Sequence, residues 1–261
     1  MKRERAYVDG RRNQILEMMQ TNPQVRVDEL AQRLGVSLIT VRRDLQFLED
    51  QKLLKRVYGG AVASPDTEGE IRIYRKLIAQ YAATLVSSND NLFINTSRNA
   101  LKMLEYIQCS NVTAITNNGK AISCNYPPGV SVVLTGGELR HPKDAMVGDF
   151  ALRNLGLIYA GKAFLGCSGI SAENGMTTEI FNEVSINELM IEHTTQGVYV
   201  LADHTKIGKN SSFISGPIDK IKVLITDEKA PEEALELIRE KGVIVYQVRK
   251  ADFRLQKSME E

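Results

Sequence analysis

Two clusters of polar residues in this chain have the types and spacing to act on a partner. The first is the run Ser37-Leu38-Ile39-Thr40-Val41-Arg42-Arg43-Asp44-Leu45-Gln46, with Lys55-Arg56 shortly after it. On a helix advancing about 100° per residue, Val41, Leu45 and Leu48 share one face. Arg43 then lies almost opposite, with Ile39, Thr40 and Gln46 near it and Arg42 on its flank. A guanidinium held there can reach guanine O6 and N7 with two parallel hydrogen bonds. Hydroxyls near the helix start, on Ser37 and Thr40, can meet phosphates or base edges, and Lys55 and Arg56 can meet phosphates. The plain alternative for Arg42, Arg43 and Asp44 is a solvated helix face with internal ion pairs.

The second cluster is scattered along the chain but placed alike. Thr96-Ser97, Asn117-Asn118, Gly136-Gly137 and Asp203 with Lys206 each follow a strand-like apolar run. Glycines let a ligand approach the backbone, and asparagine offers sugar hydroxyls both a donor and an acceptor. Hydroxyls and backbone N–H groups at a helix start can hold an anion, and Lys206 can meet a phosphate as a point charge. The structural alternatives are turns at Asn118-Gly119 and Gly136-Gly137, an ordinary cap at Thr96-Ser97, and an internal ion pair at Asp203 and Lys206.

The elements that must position these residues follow from hydrophobic period and turn signals. A helix from Arg11 to about Gln20 is stopped by Thr21-Asn22-Pro23, and a second starts near Asp28. Gly35 permits the tight turn, and Ser37 sits where an N-cap belongs. The third helix runs to about Gln51, and Leu53–Val62 reads as two short strands around Gly59-Gly60. Three helices and a basic hairpin make a winged helix-turn-helix, drawn over residues 1–62. Residues 63–70 are small, polar and turn-rich. They open a linker drawn over 63–75, before a larger domain over 76–248 and a charged tail over 249–261.

In the larger domain a helical stretch, Ile71 to Val86, leads in, and strands then alternate with helices. Strands are expected at Leu92–Asn95, Val112–Thr116, Val130–Leu134, Lys162–Leu165, Val198–Ala202, Val223–Thr226 and Val243–Gln247. Helices are expected at Ser97–Ile107, Gly119–Asn125, Met146–Leu155, Asn182–Thr194 and Pro231–Lys241. Strands apolar throughout, alternating with helices, indicate an α/β fold with a doubly wound parallel sheet covered on both faces. Ligands of such sheets bind outside the carboxyl ends of the strands.

Composition fits this division. The chain has 261 residues and 43% hydrophobic content, enough for two domains. Its net charge is only +1, but residues 1–62 carry 12 Lys/Arg against 8 Asp/Glu, a local +4. A basic small domain on a slightly acidic body fits a nucleic-acid head. Cys109, Cys124 and Cys167 are far apart and odd in number, and neither they nor His141, His193 and His204 have metal-ligand spacing. They read as reduced thiols, Cys167 included, with no cofactor or metal implied. No signal peptide or membrane span is evident, so a cytoplasmic protein is expected. Gly208-Lys209-Asn210-Ser211 lacks the upstream glycine of a P-loop.

The segment Arg12 to Val62 resembles the DeoR family of bacterial repressors. The residues that carry this are Ile15-Leu16, Val27-Asp28-Glu29-Leu30-Ala31, Thr40-Val41-Arg42-Arg43-Asp44-Leu45, Leu48-Glu49 and Gly59-Gly60-Ala61. The larger domain is similar to that family's effector domain. It matches at Thr116-Asn117-Asn118, Thr135-Gly136-Gly137-Glu138-Leu139-Arg140, Phe164-Leu165-Gly166, Ser168-Gly169-Ile170, Gly175-Met176-Thr177, Asn182-Glu183 and Leu201–Gly208. The resemblance implies a fold like that of ribose-5-phosphate isomerase and glucosamine-6-phosphate deaminase. It also implies a sugar-phosphate effector, and it adds Ser168, Gly169 and Glu183 to the effector residues. In one place the chain departs from the family: Asn95 stands where an acidic residue is usual, and Arg98 adds a positive charge to that loop.

The expected function is a DNA-binding repressor of a carbohydrate operon, released by a phosphorylated sugar and acting as a dimer or tetramer on operator DNA. The alternatives are an isomerase-like enzyme fused to a DNA-binding head, and an activator built from the same parts. For an enzyme the acid and base candidates are Glu179, Glu183, Asp203 and His204, none of which forms a recognisable pair in the sequence.

Overall fold

In the first unit, Gly35 closes helix α1 (Val27–Leu34) in the left-handed region, at φ 64, donating its N–H to the Ala31 carbonyl. Helix α2 (Leu38–Asp50) follows. The Ser37 hydroxyl accepts from Thr40 N–H at 3.2 Å, which is the expected cap. Behind α2 come strands β2 (Leu54–Val57) and β3 (Gly60–Ala63), paired antiparallel, with Tyr58 and Gly59 between them. A third strand, β1 (Gln24–Arg26), pairs with β3 and was not expected from the sequence. Gly60 is required there, because a Cβ would lie 2.1 Å from the Val25 carbonyl oxygen. Ile15, Leu30, Val41, Leu45, Leu48 and Leu54 form the core of this unit. Truncating Leu45 to alanine there costs about 2–5 kcal/mol.

The computed structural model describes residues 8, 11–12, 14–15, 18–19, 24–50, 53–63, 68–141 and 143–251. The described residues of the expected first helix, among them Arg11, Arg12 and Ile15, are helical. Positions 64–67 of the expected linker and 252–261 of the expected tail lie outside the described residues. The two compact units divide between Ile73 and Tyr74. Helix α3 (Glu68–Thr84) carries that division, so 68–75 of the expected linker is helical.

The second unit holds seven parallel strands: β4 (Asn91–Ile94), β5 (Val112–Thr116), β6 (Val130–Leu134), β9 (Ala160–Leu165), β12 (Thr194–Leu201), β14 (Ile221–Asp227) and β15 (Ile244–Val248). All seven were expected, within a few residues at their ends. Alternate residues feed two cores: Leu92, Ile94, Phe164 and Ile225 on one face, Phe93, Ala163, Leu165 and Leu224 on the other. Their spatial order is β15-β14-β12-β9-β4-β5-β6. The chain builds outward from β4 to β6, then returns to lay β9 on the other side of β4. That reversal puts a crevice at the carboxyl ends of β4 and β9, where such sheets bind ligands.

The helices that follow α3 are shorter than expected. Helix α4 (Arg98–Lys102) passes into a 3-10 turn at Met103–Tyr106, and Gly119–Ser123 is a 3-10 turn alone. The expected helix over Met146–Leu155 is cut by Gly148, whose φ of 85 and ψ of −176 are not helical. Ala145–Val147 is instead strand β8, paired with β7 (Glu138–Arg140), and α5 starts at Asp149. Helix α6 (Val184–Glu192) follows a 3-10 turn at Phe181–Glu183, and α7 spans Glu232–Glu240. A small antiparallel sheet of β10 (Gly169–Ser171), β11 (Gly175–Thr178) and β13 (Phe213–Gly216) was also not expected.

Candidate functional site

On α2 the amphipathic pattern separates two jobs. Val41, Asp44, Leu45 and Leu48 are buried, while Arg42 and Arg43 point to solvent with no partner among the described residues. Ile39 is 65% exposed beside them, an apolar contact suited to a thymine methyl. Thr40 is half-buried and shares a hydrogen bond with Ser37, and Gln46 donates to Asp50 at 2.8 Å. Asp44 takes no part in the outer face. It turns inward and accepts from Arg11 Nε at 2.6 Å and Arg12 Nε at 2.9 Å, while the Arg12 guanidinium lies over the Phe47 ring. Asp44 therefore ties the expected first helix to α2 and leaves the charge of Arg42 and Arg43 uncancelled.

The wing exposes every residue from Lys55 to Gly59. Lys55 is exposed, and Arg56 is braced by Glu49 of α2, which takes its backbone N–H at 2.8 Å and its Nε at 3.4 Å. Tyr58 at the hairpin tip is fully exposed. In the sequence a lone tyrosine beside Gly-Gly reads only as part of the turn, so its exposure is visible in the structure alone.

In the second unit the switch point is pinned by Asn95. Its Nδ2 donates to the Gly166 carbonyl at 2.9 Å and to Asn187 Oδ1 at 3.0 Å. Its Oδ1 accepts from Gly166 N–H at 3.0 Å and Ser97 N–H at 3.2 Å. Every donor and acceptor of the amide is used, and a carboxylate could not make the first two bonds. Asn95 is thus a staple between the ends of β4 and β9. Ser97 is pressed against Gly166, where a Cβ would lie 2.0 Å from its Oγ, and the same Oγ caps α4. Arg98 is exposed with no partner among the described residues.

Thr96 and Glu183 meet. Buried Glu183 accepts from Thr96 Oγ1 at 2.7 Å, from Thr178 Oγ1 at 2.8 Å and from Lys143 Nζ at 3.1 Å. Lys143 and Thr178 were not among the residues read from the sequence. Asn117 is buried after β5; its Nδ2 donates to the Met146 carbonyl, and its Oδ1 has no partner among the described residues. Asn118 caps the following turn by accepting from Lys120 N–H, which is its ordinary structural reading. Gly136 and Gly137 have φ of 69 and 110, and a Cβ on Gly137 would lie 2.6 Å from the Val147 carbonyl. A Cβ on Gly169 would lie 2.4 Å from the Lys209 carbonyl, and Ser168 Oγ accepts from Glu179 N–H. The protein's own backbone fills the space beside these two glycines.

Asp203, at the end of β12, is buried and accepts from Arg75 Nε at 2.9 Å and from the Thr205 hydroxyl. Burial opposes its charge, yet Thr205, Arg75 and Lys206 together hold its pKa below the ordinary carboxylate value. The expected pair of Asp203 with Lys206 is thus chiefly a pair with Arg75. Lys206 and Asp203 both act on Cys167, whose thiol is pushed up to about 12 by burial. That thiol is neutral and inert at neutral pH. His204 does form a pair, with a residue the sequence reading had not considered: Asp227 accepts its backbone N–H at 2.8 Å and contacts its Nδ1 at 2.9 Å. Asp227 also accepts from Lys229 N–H, so it braces the loop.

The carboxyl edge thus offers cations at Arg98, Lys143 and Lys206, and acceptors at Glu183 and Asn117. It suits an anion bearing hydroxyls. A cleft of about 740 Å3 opens at the opposite, amino edge between Thr194–Val198, Ile221 and Ile244, and no candidate effector residue lines it. Among the described residues no helix is long and apolar enough to cross a membrane.

Comparison with known proteins agrees with both units. Residues 11–67 match the DeoR-like helix-turn-helix domain, and residues 73–228 match the DeoR C terminal sensor domain. The HTH-type transcriptional regulator YulB of Bacillus subtilis is 31% identical over 248 residues, spanning 91% of this chain and 96% of that protein. The glycerol-3-phosphate regulon repressor of Escherichia coli K12 is 28% identical over 243 residues, spanning 87% and 94%. Among solved structures, ribose 5-phosphate isomerase from Plasmodium falciparum is distantly similar, with 14% identity and a TM-score of 0.35 over 51% of each chain.

Proposed function

This chain belongs to the DeoR family of helix-turn-helix transcriptional regulators, and from that premise we propose that it represses a carbohydrate operon and is released by a phosphorylated sugar. The observation that carries the DNA half is the outward, unpartnered pair Arg42 and Arg43 on a helix whose own acid, Asp44, is turned away to Arg11 and Arg12. Arg43 reads a base edge; Ser37, Ile39, Thr40, Arg42 and Gln46 flank it; Lys55 and Arg56 of the wing touch phosphate. Two or more copies present their heads to half-sites about 34–36 Å apart.

The sensor half is supported by the carboxyl-edge cluster at the switch point, and a repressor among the relatives is named for a phosphorylated three-carbon polyol. The effector must bind the DNA-competent and released states with different affinity, since equal binding regulates nothing. The protein works in the cytoplasm, with the chromosome. It is not an enzyme in this reading: the Cys167 thiol is neutral, and Asp203 and His204 are held in pairs with Arg75 and Asp227. A thermal-shift screen against phosphorylated sugars and their parent sugars tests the effector class. A rise in melting temperature with a phosphorylated compound alone is expected. No rise with any of them, or turnover of ribose or glucosamine phosphates by the purified protein, overturns the reading.

A further inference from the structure

The β7–β8 hairpin is mounted firmly on the end of β5. Gly119 N–H donates to the Asp144 carbonyl at 2.8 Å, Met146 N–H donates to the Asn117 carbonyl at 2.7 Å, and Asn118 and Ala145 form a β-bridge. Asp144 itself sits at a positive φ of 55 and is contacted by His141 Nδ1 at 2.6 Å. Asp144, Ala145 and Met146 are therefore anchored to the end of β5, and Lys143 directly precedes them. Lys143 Nζ reaches both oxygens of Glu183 at 3.1 Å. Glu183 is held by other elements, bonded to Thr96 after β4 and Thr178 of β11. The ion pair thus joins the hairpin mounted on β5 to the neighbouring end of β4, beside the switch point.

The two partners are held unequally. The Glu183 side chain is 6% exposed and keeps two hydroxyl donors without Lys143. The Lys143 side chain is 39% exposed, and Glu183 is its one partner among the described residues. A pair exposed on the lysine side contributes little to stability, so the lysine is the member that exchanges. A phosphate monoester carries up to two charges where Glu183 carries one, and a buried carboxylate that loses one donor needs another.

From this geometry, and resting on the effector class proposed above, we propose that Lys143 is the phosphate ligand of the sensor domain. When a sugar phosphate enters, the Lys143 ammonium passes from Glu183 to the phosphate, and a sugar hydroxyl takes its place as donor to Glu183. The ligand then replaces the protein's own bridge between the hairpin and the end of β4. Such an exchange recognises both ends of the ligand: the phosphate by a lysine and the polyol by a carboxylate. It also links ligand entry to the hairpin and, through Asn117 and Asn118, to the end of β5.

The test uses the full chain as wild type, Lys143→Met and Lys143→Arg. Titration calorimetry is run with ribose 5-phosphate, fructose 1-phosphate, fructose 6-phosphate and glycerol 3-phosphate, each beside its unphosphorylated parent. Lys143→Met is expected to melt close to wild type without ligand. It should bind the phosphorylated compound that wild type binds at least about tenfold more weakly, through loss of a charged hydrogen bond. Lys143→Arg should keep most of that affinity, and the parent sugars should not distinguish the variants. Equal affinity in wild type and Lys143→Met overturns the assignment of Lys143 while leaving the effector class standing. Collapse of the fold in Lys143→Met overturns it too, by making the pair structural. Failure of wild type to bind any phosphorylated compound removes the effector class itself, and this assignment with it.

Discussion

Replacing Asn95 by aspartate keeps the shape of the side chain and removes both of its donors. The bonds at risk run from Nδ2 to the Gly166 carbonyl after β9 at 2.9 Å and to Asn187 Oδ1 of α6 at 3.0 Å, and both are buried. Asn187 can turn its amide and offer an N–H, but the Gly166 carbonyl cannot change. At least one buried acceptor is left unsatisfied, which costs about 1–3 kcal/mol. The new carboxylate can escape by staying protonated and donating to that carbonyl. At pH 7, against an unfolded pKa near 3.9, protonation costs about 4 kcal/mol, which sets the ceiling. The expected loss of stability at pH 7 is therefore about 1–4 kcal/mol. Its sign with pH follows from linkage: a folded pKa raised above the unfolded value means the native variant binds more protons. The gap to wild type is then full above the raised pKa and shrinks as pH falls toward about 4. Urea denaturation of both proteins at pH 7 and pH 5 measures it. A gap under about 0.5 kcal/mol at pH 7, the range of a neutral surface substitution, refutes the staple. So does a gap that acid leaves unchanged. A double-mutant cycle with Asn187→Ala should show a coupling of about 0.5–3 kcal/mol, as for residues in contact.

Four further outcomes are expected. Arg43→Ala should abolish the sequence-specific gel shift while changing stability by less than about 0.5 kcal/mol in urea; unfolding instead would make Arg43 structural. Lys206→Ala should retain operator binding and blunt release by effector, and unaltered induction places Lys206 outside the pocket. Asp203→Asn should be less stable than wild type at neutral pH. Because the folded pKa of Asp203 lies below 3.8, that difference should hold above this value and vanish as pH falls through the folded pKa; a difference that persists in strong acid contradicts it. Cys167 should resist iodoacetamide at pH 8 in the native protein and react on unfolding, as peptide mapping by mass spectrometry can show.

The seven strands were legible because each holds a short apolar run bounded by turn signals; the inner strands bury both faces, while β6 and β15 at the sheet edges leave alternate residues exposed. The recognition helix was legible because cap, turn glycine and apolar stripe agree within fifteen residues, Leu34 to Leu48. The β7–β8 hairpin was not. Glu138–Arg140 is exposed throughout and reads as polar turn, while Ala145–Val147 reads as a helix start until Gly148 adopts its non-helical conformation. Losing the hairpin meant losing Lys143, which follows no strand of the main sheet. Glu183 was named as an effector residue through family resemblance alone, since its partners Lys143 and Thr96 lie 40 and 87 residues away in the chain. The ion pairing of Asp44 was half-legible: it does pair with arginines, but with Arg11 and Arg12 rather than with Arg42 and Arg43 on its own helix. Asn95 read as a departure in a binding loop because sequence cannot show that its amide closes on Gly166.

One measurement tests the central claim most directly. The full-length protein is used to select bound duplexes from a random DNA pool, and the selected duplex is then challenged with phosphorylated sugars in a gel shift. The account predicts enrichment of one sequence with symmetric halves centred about 10 base pairs apart, or a multiple of that. It also predicts release by the same phosphorylated compound that raises the melting temperature, and no enrichment with Arg43→Ala. Enrichment of no sequence, or a selected complex that every stabilising sugar phosphate leaves intact, would contradict it.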